Sequence, residues 1–481
     1  MLAFGCRNIF ALGALLCLLS STITLVDAQS PAAHYNNYLV YQRADPHIVK
    51  HSNGWYYFTA SVPEYDRVIL RRSRTIQGLT DAEEVTIWDK KDSDAGVGYV
   101  WAPELHYIGD KWYIYFALGR KSDFDIRIFV LEGTGDDAVT ADWIEKAWVE
   151  TDWDTFSLDA TTFEVDGTRY LCWAQSDPTW SDANTSIMLA PMLNPWTLKL
   201  PAVAISRPEL AWERVRNIVN EGPYALVKKD KVWLTYSASS TDQNYVMGLL
   251  SADYRAELMN PAVWNKSQEP IFKSNANTSQ YGPGHNSFTI SEDGKSDILV
   301  YHSRQYRDIN GEPLNNPDRH TRVQKLYWKA DGSPNFGIPV PDGRTPIRLR
   351  SFFNPKGYIA HDDAGLLGLQ DGDSSLAKTQ FRVISPGLKG DGTVSLESTD
   401  RPGSFIMIDK AKLRLGDPRN SKNAHTFASF VQRPGLLSRK GVSFEVVGKR
   451  GYFIQVEANN DLAIAVVKDR KQRRQATFYN E

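Results

Sequence analysis

The hydrophobic and polar positions of this chain form a strand-and-turn pattern that returns about every 60 residues between residues 35 and 340. In each return, a turn signal such as Asn53-Gly54 stands just before a run of aromatic and apolar residues. The five runs are Gly54-Trp55-Tyr56-Tyr57-Phe58, Lys111-Trp112-Tyr113-Ile114-Tyr115-Phe116, Arg169-Tyr170-Leu171-Cys172-Trp173, Val232-Trp233-Leu234-Thr235-Tyr236 and Asp297-Ile298-Leu299-Val300-Tyr301. No helical period competes with this pattern. It predicts an all-β region of five small antiparallel sheets arranged radially, as in a five-bladed β-propeller.

A shorter repeat, with a period of about 45 to 50 residues, follows a stretch with several prolines and glycines at residues 334–346. Its anchors are Gly357-Tyr358-Ile359, Gly403-Ser404-Phe405-Ile406 and Gly451-Tyr452-Phe453-Ile454. Three short all-β units of this size predict a threefold barrel, a β-trefoil. We therefore expect a propeller domain over residues 29–345 and a β-trefoil domain over residues 346–481.

A positive charge and an apolar run mark residues 1–28 as a secretory signal peptide. Arg7 supplies the charge, the segment from Ile9 to Val26 is mostly apolar, and the small residue Ala28 precedes the expected cleavage point. A membrane anchor is the alternative, but the run is short and interrupted by Ser20-Ser21-Thr22, and no later stretch is long enough to span a bilayer. We therefore expect a secreted, extracellular protein that has no membrane association after cleavage.

The composition is that of a folded protein, with 42% hydrophobic and 23% charged residues in a chain of 481. The formal net charge of -2 provides no broad basic field, so no nucleic-acid partner is expected. Of the three cysteines, Cys6 and Cys17 lie in the predicted signal. The third, Cys172, lies within an apolar strand, and we interpret it as a buried core residue rather than a nucleophile.

One lead residue stands about ten positions before each aromatic run, and three of the five leads are carboxylates. The leads are Asp45, Trp101, Asp159, Glu221 and His285. Equivalent positions of a radial array converge on its axis, so we expect the three acids at one point. Any one acid alone is better interpreted as a turn cap or an arginine partner, since a buried carboxylate is costly unless it is paired or used. Three acids at matching positions favour a catalytic site.

Two carboxylates placed across a bond can hydrolyse a glycoside, because one donates a proton to the leaving oxygen while the other activates water or attacks carbon. A third acid nearby raises the pKa of the proton donor by like-charge repulsion. The residue types alone do not assign these roles. The sequence contains no Gly-x-Ser-x-Gly, no phosphate-binding glycine loop and no His-Glu-x-x-His, which are the signatures of other hydrolytic or nucleotide-binding sites.

The leads lie in longer motifs: Asp45-Pro46-His47-Ile48-Val49-Lys50, Trp101-Ala102-Pro103-Glu104-Leu105-His106, Ser157-Leu158-Asp159-Ala160, Asn220-Glu221-Gly222-Pro223 and Gly282-Pro283-Gly284-His285-Asn286-Ser287. In this order the motifs resemble those of glycoside hydrolase family 43. The resemblance implies a five-bladed β-propeller with an inverting mechanism. It implies that Asp45 is the general base, that Glu221 is the general acid, and that Asp159 raises the pKa of the acid and orients it.

The same resemblance implies substrate-binding roles for Trp101, which would line the sugar pocket, and for Arg322, as a sugar-facing arginine. It places His285 in the axial channel, where this residue would help to hold a hydrated cation, often calcium. The chemistry itself requires no cofactor. Because calcium prefers many oxygen ligands, such an ion would be bound mostly by water. The alternative readings are that Trp101 packs between blades and that His285 is a hydrogen-bonded core histidine.

Two further stretches, residues 61–67 and 281–289, resemble the branch of the family that acts on α-L-arabinofuranosyl linkages. We therefore expect a secreted inverting hydrolase that releases L-arabinofuranose from α-1,5-linked arabinan or arabino-oligosaccharides, with plant cell-wall arabinan or arabinoxylan as its partner. A β-xylosidase or an arabinoxylan-debranching arabinofuranosidase is an alternative, because the acids are common to the family. A non-catalytic carbohydrate-binding propeller is another, and the presence of all three acids argues against it.

The C-terminal repeats carry motifs such as Pro386-Gly387-Leu388, Pro434-Gly435-Leu436 and Ala476-Thr477-Phe478. Over residues 350–481 they resemble the arabinose-binding β-trefoil of carbohydrate-binding module family 42. The resemblance implies a sugar-binding histidine in each unit, but only the first unit has one, His361; the other two have Ile408 and Val456. We expect His361 to bind sugar together with Asp371, and no equivalent histidine site in the second and third units.

Overall fold

The computed structural model describes residues 34–180, 184–373, 375–420 and 423–481. The predicted signal peptide, residues 1–28, lies outside the described residues. The described part is almost entirely β structure, and its α-helices are Ala424–Phe427 and Arg470–Gln475. None of the helices in this part has the length and apolar character needed to cross a bilayer. Short 3₁₀ turns occur at Gln77–Leu79, Lys90–Asp92, Ala138–Thr140, Ala211–Glu213, Pro261–Val263, Pro313–Asn315, Leu376–Thr379 and Pro418–Asn420.

Five antiparallel sheets follow one another along the chain, and their first strands contact each other in a ring. The strands of these sheets, blade by blade, are Ala44–Lys50, Tyr56–Ser61, Arg67–Ser73 and Val85–Asp89; Val100–Ile108, Lys111–Gly119, Ile126–Thr134 and Asp142–Trp148; Ser157–Val165, Thr168–Gln175, Ser186–Asn194, Thr197–Leu198 and Val203–Ser206; Asn220–Lys228, Lys231–Ala238, Val246–Asp253 and Asn265–Lys266; and Tyr281–Ile290, Asp297–Arg304 and His320–Lys325. Two small sheets pair Asn36–Asn37 with Gly343–Arg344 and Tyr327–Trp328 with Pro334–Asn335. The predicted five-bladed β-propeller is confirmed.

The segment before the first blade closes the ring by pairing with the last blade. The backbone N–H of Leu39 donates to the carbonyl of Thr321 at 2.8 Å, and the N–H of Thr321 donates to the carbonyl of Val40 at 2.9 Å. The side-chain amide of Asn37 donates to the carbonyl of Val323 at 2.8 Å and accepts from the Val323 N–H at 2.9 Å. The two ends of the propeller therefore share one sheet edge.

Asn37→Ala is expected to lower the melting temperature of the protein, because it leaves the buried backbone groups of Val323 without their partners. Each polar group left unpaired in this way costs about 1–3 kcal/mol. Thermal unfolding followed by circular dichroism measures the change, and Asn36→Ala, at the exposed neighbouring position, is the matched control. Equal melting temperatures for the two variants would show that the Asn37 side chain does not stabilise the closed ring.

Each of the five first strands carries a β-bulge at the same point, where two residues face one on the neighbouring strand. The first bulge residue has a positive φ, between 43° and 57°, in every blade; these residues are Asp45, Ala102, Asp159, Gly222 and His285. Asp45, Asp159 and His285 are thus equivalent, whereas Trp101 and Glu221 stand one position earlier. The expectation that all three acids occupy matching positions is therefore wrong for Glu221, because spacing to the aromatic run does not reveal where the bulge falls.

Twelve short strands form one connected sheet in the C-terminal region. Six of them pair into a closed barrel, and the other six form three hairpins. The strands are Ile347–Ser351, Gly357–His361, Leu367–Asp371, Gln380–Ile384, Ser395–Ser398, Phe405–Asp409, Lys412–Gly416, Phe430–Pro434, Val442–Val446, Tyr452–Val456, Leu462–Val466 and Phe478–Asn480. Each third of the region supplies four strands, which is the threefold pattern that the sequence predicts.

Apolar side chains fill the spaces between blades and the inside of the C-terminal barrel. Cys172 is fully buried in one of the clusters between blades, which also contains Leu234 of the next blade. Burial raises the pKa of its thiol, so the thiol stays protonated and unreactive. This environment fits the interpretation of Cys172 as a core residue.

Candidate active site

A cavity of about 470 Å³ lies where the first strands of the five blades converge. All five lead residues line it: Asp45, Trp101, Asp159, Glu221 and His285. Asp45 and Asp159 are buried, and Glu221 is partly buried. The cavity therefore brings together three carboxyl groups, an indole and an imidazole in a space that a small sugar can occupy.

Asp45 is surrounded by hydrogen-bond donors. The hydroxyl of Ser61 donates to Oδ2 at 2.6 Å, and Nη1 of Arg319 donates to Oδ1 at 3.2 Å. The backbone N–H of Asp45 donates to Nδ1 of His302 at 3.0 Å. Burial alone would raise the pKa of the Asp45 carboxyl and is the largest single influence on it, but the charge of Arg319, the neighbouring histidines and the Ser61 hydrogen bond together hold this pKa below its usual range. Asp45 is therefore ionised and can accept a proton.

Arg319 stands immediately before the last strand of the fifth blade, and its guanidinium is held on two sides. Nη1 binds Asp45, and Nη2 donates to the hydroxyl oxygen of Tyr65 at 2.9 Å. The Tyr65 hydroxyl in turn donates to the carbonyl of Leu314 at 2.6 Å. The side chain of Arg319 is only 5% exposed, so its charge acts on Asp45 with little screening by water.

Arg322 does not line the cavity, and the prediction that it faces the sugar is wrong. It is fully buried and forms an ion pair with Asp342. Arg322 lies within the strand His320–Lys325, whereas Arg319 stands just before this strand, where it can reach Asp45. The arginine of the cavity is therefore Arg319.

Glu221 accepts a hydrogen bond from the hydroxyl of Tyr245 at 2.8 Å. Its enclosed position raises the pKa of the carboxyl to about 7, and the negative charge of Asp45 acts in the same direction. The hydrogen bond from Tyr245 opposes this rise, because it stabilises the ionised form. The ring of Tyr245 is fixed by stacking on His302, with ring centroids 5.7 Å apart, and by close packing on Gly284.

Asp159 accepts a hydrogen bond from the backbone N–H of Gly222 at 2.9 Å, so it is tied to the residue that follows Glu221. Burial raises the pKa of Asp159, and the charges of Glu221 and Asp45 raise it further. Repulsion between two neighbouring carboxylates disfavours ionisation of both, so the pair keeps a proton at neutral pH. The site thus combines one ionised acid, Asp45, with a protonated pair.

His285 packs between the acids. Its Nδ1 lies 3.3 Å from Oδ1 of Asp45 and 4.0 Å from Oδ2 of Asp159. A Cβ at position 222 would lie 3.1 Å from the His285 ring, and φ is +53° there, so glycine lets the backbone approach this histidine closely without strain. Burial lowers the pKa of His285, which keeps the imidazole neutral.

Trp101 forms one wall of the cavity together with other aromatic rings. It stacks on Tyr99 with ring centroids 5.2 Å apart, and it makes an edge contact with Phe124 at 5.9 Å. The indole nitrogen is buried and has no hydrogen-bond partner among the described residues. An apolar wall with one unused donor suits a sugar ring, which presents both C–H and hydroxyl groups.

Three further side chains of the first two blades could hold a cation. The ligand atoms of His47, Glu104 and His106 all lie within 4.8 Å of one another. Burial lowers the pKa of His47 to about 4 and that of His106 to about 3, so both imidazoles are neutral. Their nitrogens already have partners, because Nδ1 of His47 accepts from the N–H of Leu105 at 3.2 Å and Nε2 of His106 lies 2.8 Å from Oε2 of Glu104. Two nitrogens and one carboxylate suit a transition metal better than calcium, which takes six to eight oxygens. Calcium fits this propeller only if water supplies most of its ligands.

His361 is fully buried in the C-terminal region, where its Nε2 lies 2.9 Å from Oδ1 of Asp400. The predicted partner, Asp371, is at the other end of the hairpin, because its strand neighbour is Gly357 while that of His361 is Leu367. The pairing of His361 with Asp371 is therefore corrected to a pairing with Asp400, which the next repeat contributes.

Among the cavity residues that the sequence does not predict, Arg319 and Tyr245 bind the acids directly. Arg319 was overlooked because the neighbouring Arg322 lies in the more regular strand pattern. A search for a cation within reach of a buried acid would have found it, since a buried carboxylate needs a positive or hydrogen-bonding partner. Tyr245 lies in a loop after the second strand of its blade, and the sequence around it carries no such signal.

Two family models match this chain. The model described as glycosyl hydrolases family 43 matches residues 35–334, and the one described as the α-L-arabinofuranosidase B domain matches residues 347–480. The first match spans the whole propeller, including every residue of the cavity. The second spans the C-terminal barrel.

Curated relatives and a solved structure agree with these matches. The "Alpha-L-arabinofuranosidase 43" of Humicola insolens is 55% identical over 94% of this chain and 96% of its own. The "Extracellular exo-alpha-(1->5)-L-arabinofuranosidase" of Streptomyces avermitilis is 49% identical over 94% of both chains. A crystal structure of an α-L-arabinofuranosidase from Lactobacillus brevis is 49% identical with a TM-score of 0.62, covering 64% of this chain and 98% of its own. The chain belongs to glycosyl hydrolases family 43.

Proposed function

We propose that this protein is a secreted, inverting glycosidase that releases L-arabinofuranose from α-1,5-linked arabinan or arabino-oligosaccharides. One observation carries the proposal: a single cavity holds an ionised acid, Asp45, and an acid whose pKa is raised to about 7, Glu221. Hydrolysis of a glycoside needs this pair, a base that activates water and an acid that protonates the leaving oxygen.

The three acids take different parts in the proposed reaction. Asp45 accepts a proton from a water molecule as that water attacks the anomeric carbon, and Glu221 donates a proton to the departing oxygen. Asp159 is electrostatically coupled to Glu221 and orients it by binding the N–H of Gly222, the next residue in the chain. In an inverting site the base and acid carboxyls stand roughly 6.5–9.5 Å apart to leave room for water. A crystal structure with a bound arabinose tests this spacing, and a value near 5 Å would indicate retention instead.

Three observations support L-arabinofuranose as the sugar that is released. The relatives that match nearly the whole chain are named α-L-arabinofuranosidases, and one of them is named as exo-acting on α-1,5 linkages. The C-terminal region matches the α-L-arabinofuranosidase B domain. The cavity is small, about 470 Å³, and has the aromatic wall of Trp101, which suits one terminal pentose better than a long chain.

A product profile on three substrates tests this function. Linear α-1,5-arabinan is expected to yield arabinose alone from the first minutes, branched arabinan to yield it more slowly, and xylo-oligosaccharide to yield no xylose. The first anomer released, observed by proton NMR, is expected to be β-arabinofuranose, because inversion converts an α linkage to a β product. Xylose release, or early oligosaccharides from linear arabinan, would replace the proposal with a β-xylosidase or an endo-acting enzyme.

The proposed place of action is outside the cell, on plant cell-wall arabinan or arabinoxylan. The N-terminal pattern of a signal peptide and the extracellular naming of the Streptomyces relatives support secretion. Edman sequencing of the secreted protein is expected to begin at Gln29.

Within this proposal, the buried pair of His361 and Asp400 forms an arabinose-binding site in the C-terminal region. Retention on insoluble arabinan is expected to fall in His361→Ala.

Calcium removal is expected to lower the melting temperature by a few degrees without changing the cleaved bond. Beside His285, both amide atoms of Asn286 are buried and have no hydrogen-bond partner in the described part of the chain, which suits a buried water or hydrated ion. The measurement is metal content by mass spectrometry, followed by thermal unfolding after chelation and after calcium is restored. A protein that contains no calcium and melts unchanged after chelation would contradict the calcium proposal.

Tyr245→Phe is expected to shift the alkaline limb of the pH profile of kcat/KM upward by about one pH unit. In the native site activity falls as the pH rises through about 7, where Glu221 loses the proton that it must donate. The Tyr245 hydroxyl lowers the pKa of Glu221, so its removal raises this pKa and preserves the acid form to higher pH. Tyr56→Phe removes a hydroxyl outside the cavity and is the control. An alkaline limb that moves down or stays fixed would rule out Tyr245 as the tuning group.

A further inference from the structure

The C-terminal region contains a groove that the proposed function does not use. Its volume is about 600 Å³, and it is lined by Phe352, Phe353, Leu437, Arg470, Lys471 and Arg474. The first three side chains are apolar and partly buried, and the last three are exposed cations. The groove thus has an apolar floor and a positively charged rim.

Part of the apolar floor, at Phe353, lies at the position in the third repeat that corresponds to the hydrogen-bonded pair His361–Asp400 of the first repeat. The strand register aligns Tyr358, Phe405 and Phe453, which face Arg350, Glu397 and Glu445 respectively. His361 lies three residues after Tyr358, and Val456 lies three residues after Phe453, so these two positions correspond. Asp400 lies three residues after Glu397, and Phe353 lies three residues after Arg350, so these two positions also correspond. The hydrogen-bonding pair of the first repeat is therefore replaced by two apolar side chains beside the groove.

The rim carries more positive charge than its surroundings neutralise. The exposed residues Lys468, Arg470, Lys471, Arg473 and Arg474 are close together in sequence on and before one short helix. None of them forms an ion pair with an acid of the described residues. The acid within this stretch, Asp469, uses its carboxylate to accept from the N–H of Gln472 at 2.8 Å. Five cations thus stand against the single acid of this stretch, which leaves an excess of positive charge for an anionic ligand.

We propose that this groove binds an acidic polysaccharide, a chain of uronic acid residues. The face of a sugar ring packs on the phenylalanine floor, and the carboxylates of the chain pair with the arginine and lysine rim. Arg474 already lies over the Phe352 ring, 5.7 Å from its centroid, so the rim and the floor form one surface. A nucleic acid is less suited, because the formal net charge of -2 provides no broad basic field around the groove.

Binding at this groove would extend the proposed function, and its benefit to the enzyme rests on that function. An acidic chain held here would keep the propeller close to neutral arabinose side chains carried by the same polymer. The binding itself does not depend on hydrolysis, since a polyuronate contains no arabinose. Failure of the proposed activity and failure of this binding are therefore separate results.

Affinity electrophoresis of the full chain in gels containing polygalacturonate tests the proposal. The wild-type protein is expected to be retarded, and the retardation is expected to weaken with added salt. The triple variant Arg470→Gln, Lys471→Gln, Arg474→Gln is expected to bind about 30-fold more weakly or worse, since each cation near an anionic surface contributes to affinity. A matched triple variant, Lys273→Gln, Lys389→Gln, Lys410→Gln, removes the same charge from exposed sites outside the groove. Circular dichroism verifies that both variants fold.

The proposal is supported if polygalacturonate strongly retards the wild-type protein and only the groove variant loses this retardation. The fully methyl-esterified polymer, which has no charge, is expected to cause no retardation. No retardation of the wild-type protein at low salt overturns it. Equal loss in both triple variants, or retardation by DNA as strong as by polygalacturonate, also overturns it, because either result would show attraction by general charge. Phe352→Ala provides a second measure, since loss of the floor is expected to weaken binding while keeping the charge.

Discussion

Asp45→Asn is expected to lower kcat for arabinose release by about 10²- to 10⁴-fold, which is the usual contribution of a general base. An amide oxygen can still accept the hydrogen bond from Ser61, so the cavity keeps its shape, but an amide cannot take a proton from water. Release of arabinose from an α-1,5-linked disaccharide measures the loss, and thermal unfolding shows that the variant is folded. Glu209→Gln, an exposed acid outside the cavity, is the matched control.

Glu221→Gln separates the acid from the base through the leaving group. A nitrophenyl arabinofuranoside departs without a proton, so this variant is expected to lose far less activity on it than on the disaccharide. Asp45→Asn is expected to lose activity on both, because water must be activated in each case. The opposite pattern would exchange the two roles, and full activity of either variant on the disaccharide would remove that residue from the mechanism.

Arg319→Gln is expected to move the acidic limb of the pH profile of kcat/KM upward by about one to three pH units. The charge of Arg319 is the strongest of the influences that together hold the pKa of Asp45 below its usual range, against the effect of burial. Without this charge the pKa rises, so Asp45 becomes protonated at a higher pH and the base is lost there. Since ionised Asp45 is needed, activity is present above this pKa and disappears as the pH falls through it.

Two further variants make the Arg319 result specific. Arg319→Lys keeps a positive charge but loses the second contact with Tyr65, so a partial shift of the acidic limb is expected. Arg322→Lys changes the buried arginine that pairs with Asp342, outside the cavity. It is expected to lower the melting temperature while leaving the pH profile in place. A shift in the Arg322 variant and none in the Arg319 variants would reverse the assignment.

The fold was predictable because it repeats. Five aromatic strands at regular spacing, each after a turn signal, are sufficient to indicate five blades, and each lead residue then falls near the axis. The bulge was not predictable, because its backbone geometry depends on the neighbouring strand. For this reason Glu221 and Asp159 were placed at equivalent positions, although they differ by one residue in register.

Contacts between distant segments were harder to predict than the acids themselves. Arg319 reaches Asp45 across 274 residues, and His361 meets Asp400 in the following repeat rather than Asp371 in its own hairpin. No local pattern encodes such pairs. The cationic rim around Arg470 was missed for another reason: a net charge near zero averages over the chain and conceals a local excess of one sign.

The pairing that closes the propeller also sets the order in which the chain can fold. Asn37 binds Val323 over a separation of 286 residues, so the first blade lacks its final neighbour until the fifth has been synthesised. Contacts this far apart are slow to form, because a long loop must be ordered before they stabilise anything. During synthesis the growing chain therefore carries unpaired strand edges that can join other chains. Yield in a heterologous host will depend on protecting this open intermediate at least as much as on the stability of the finished ring.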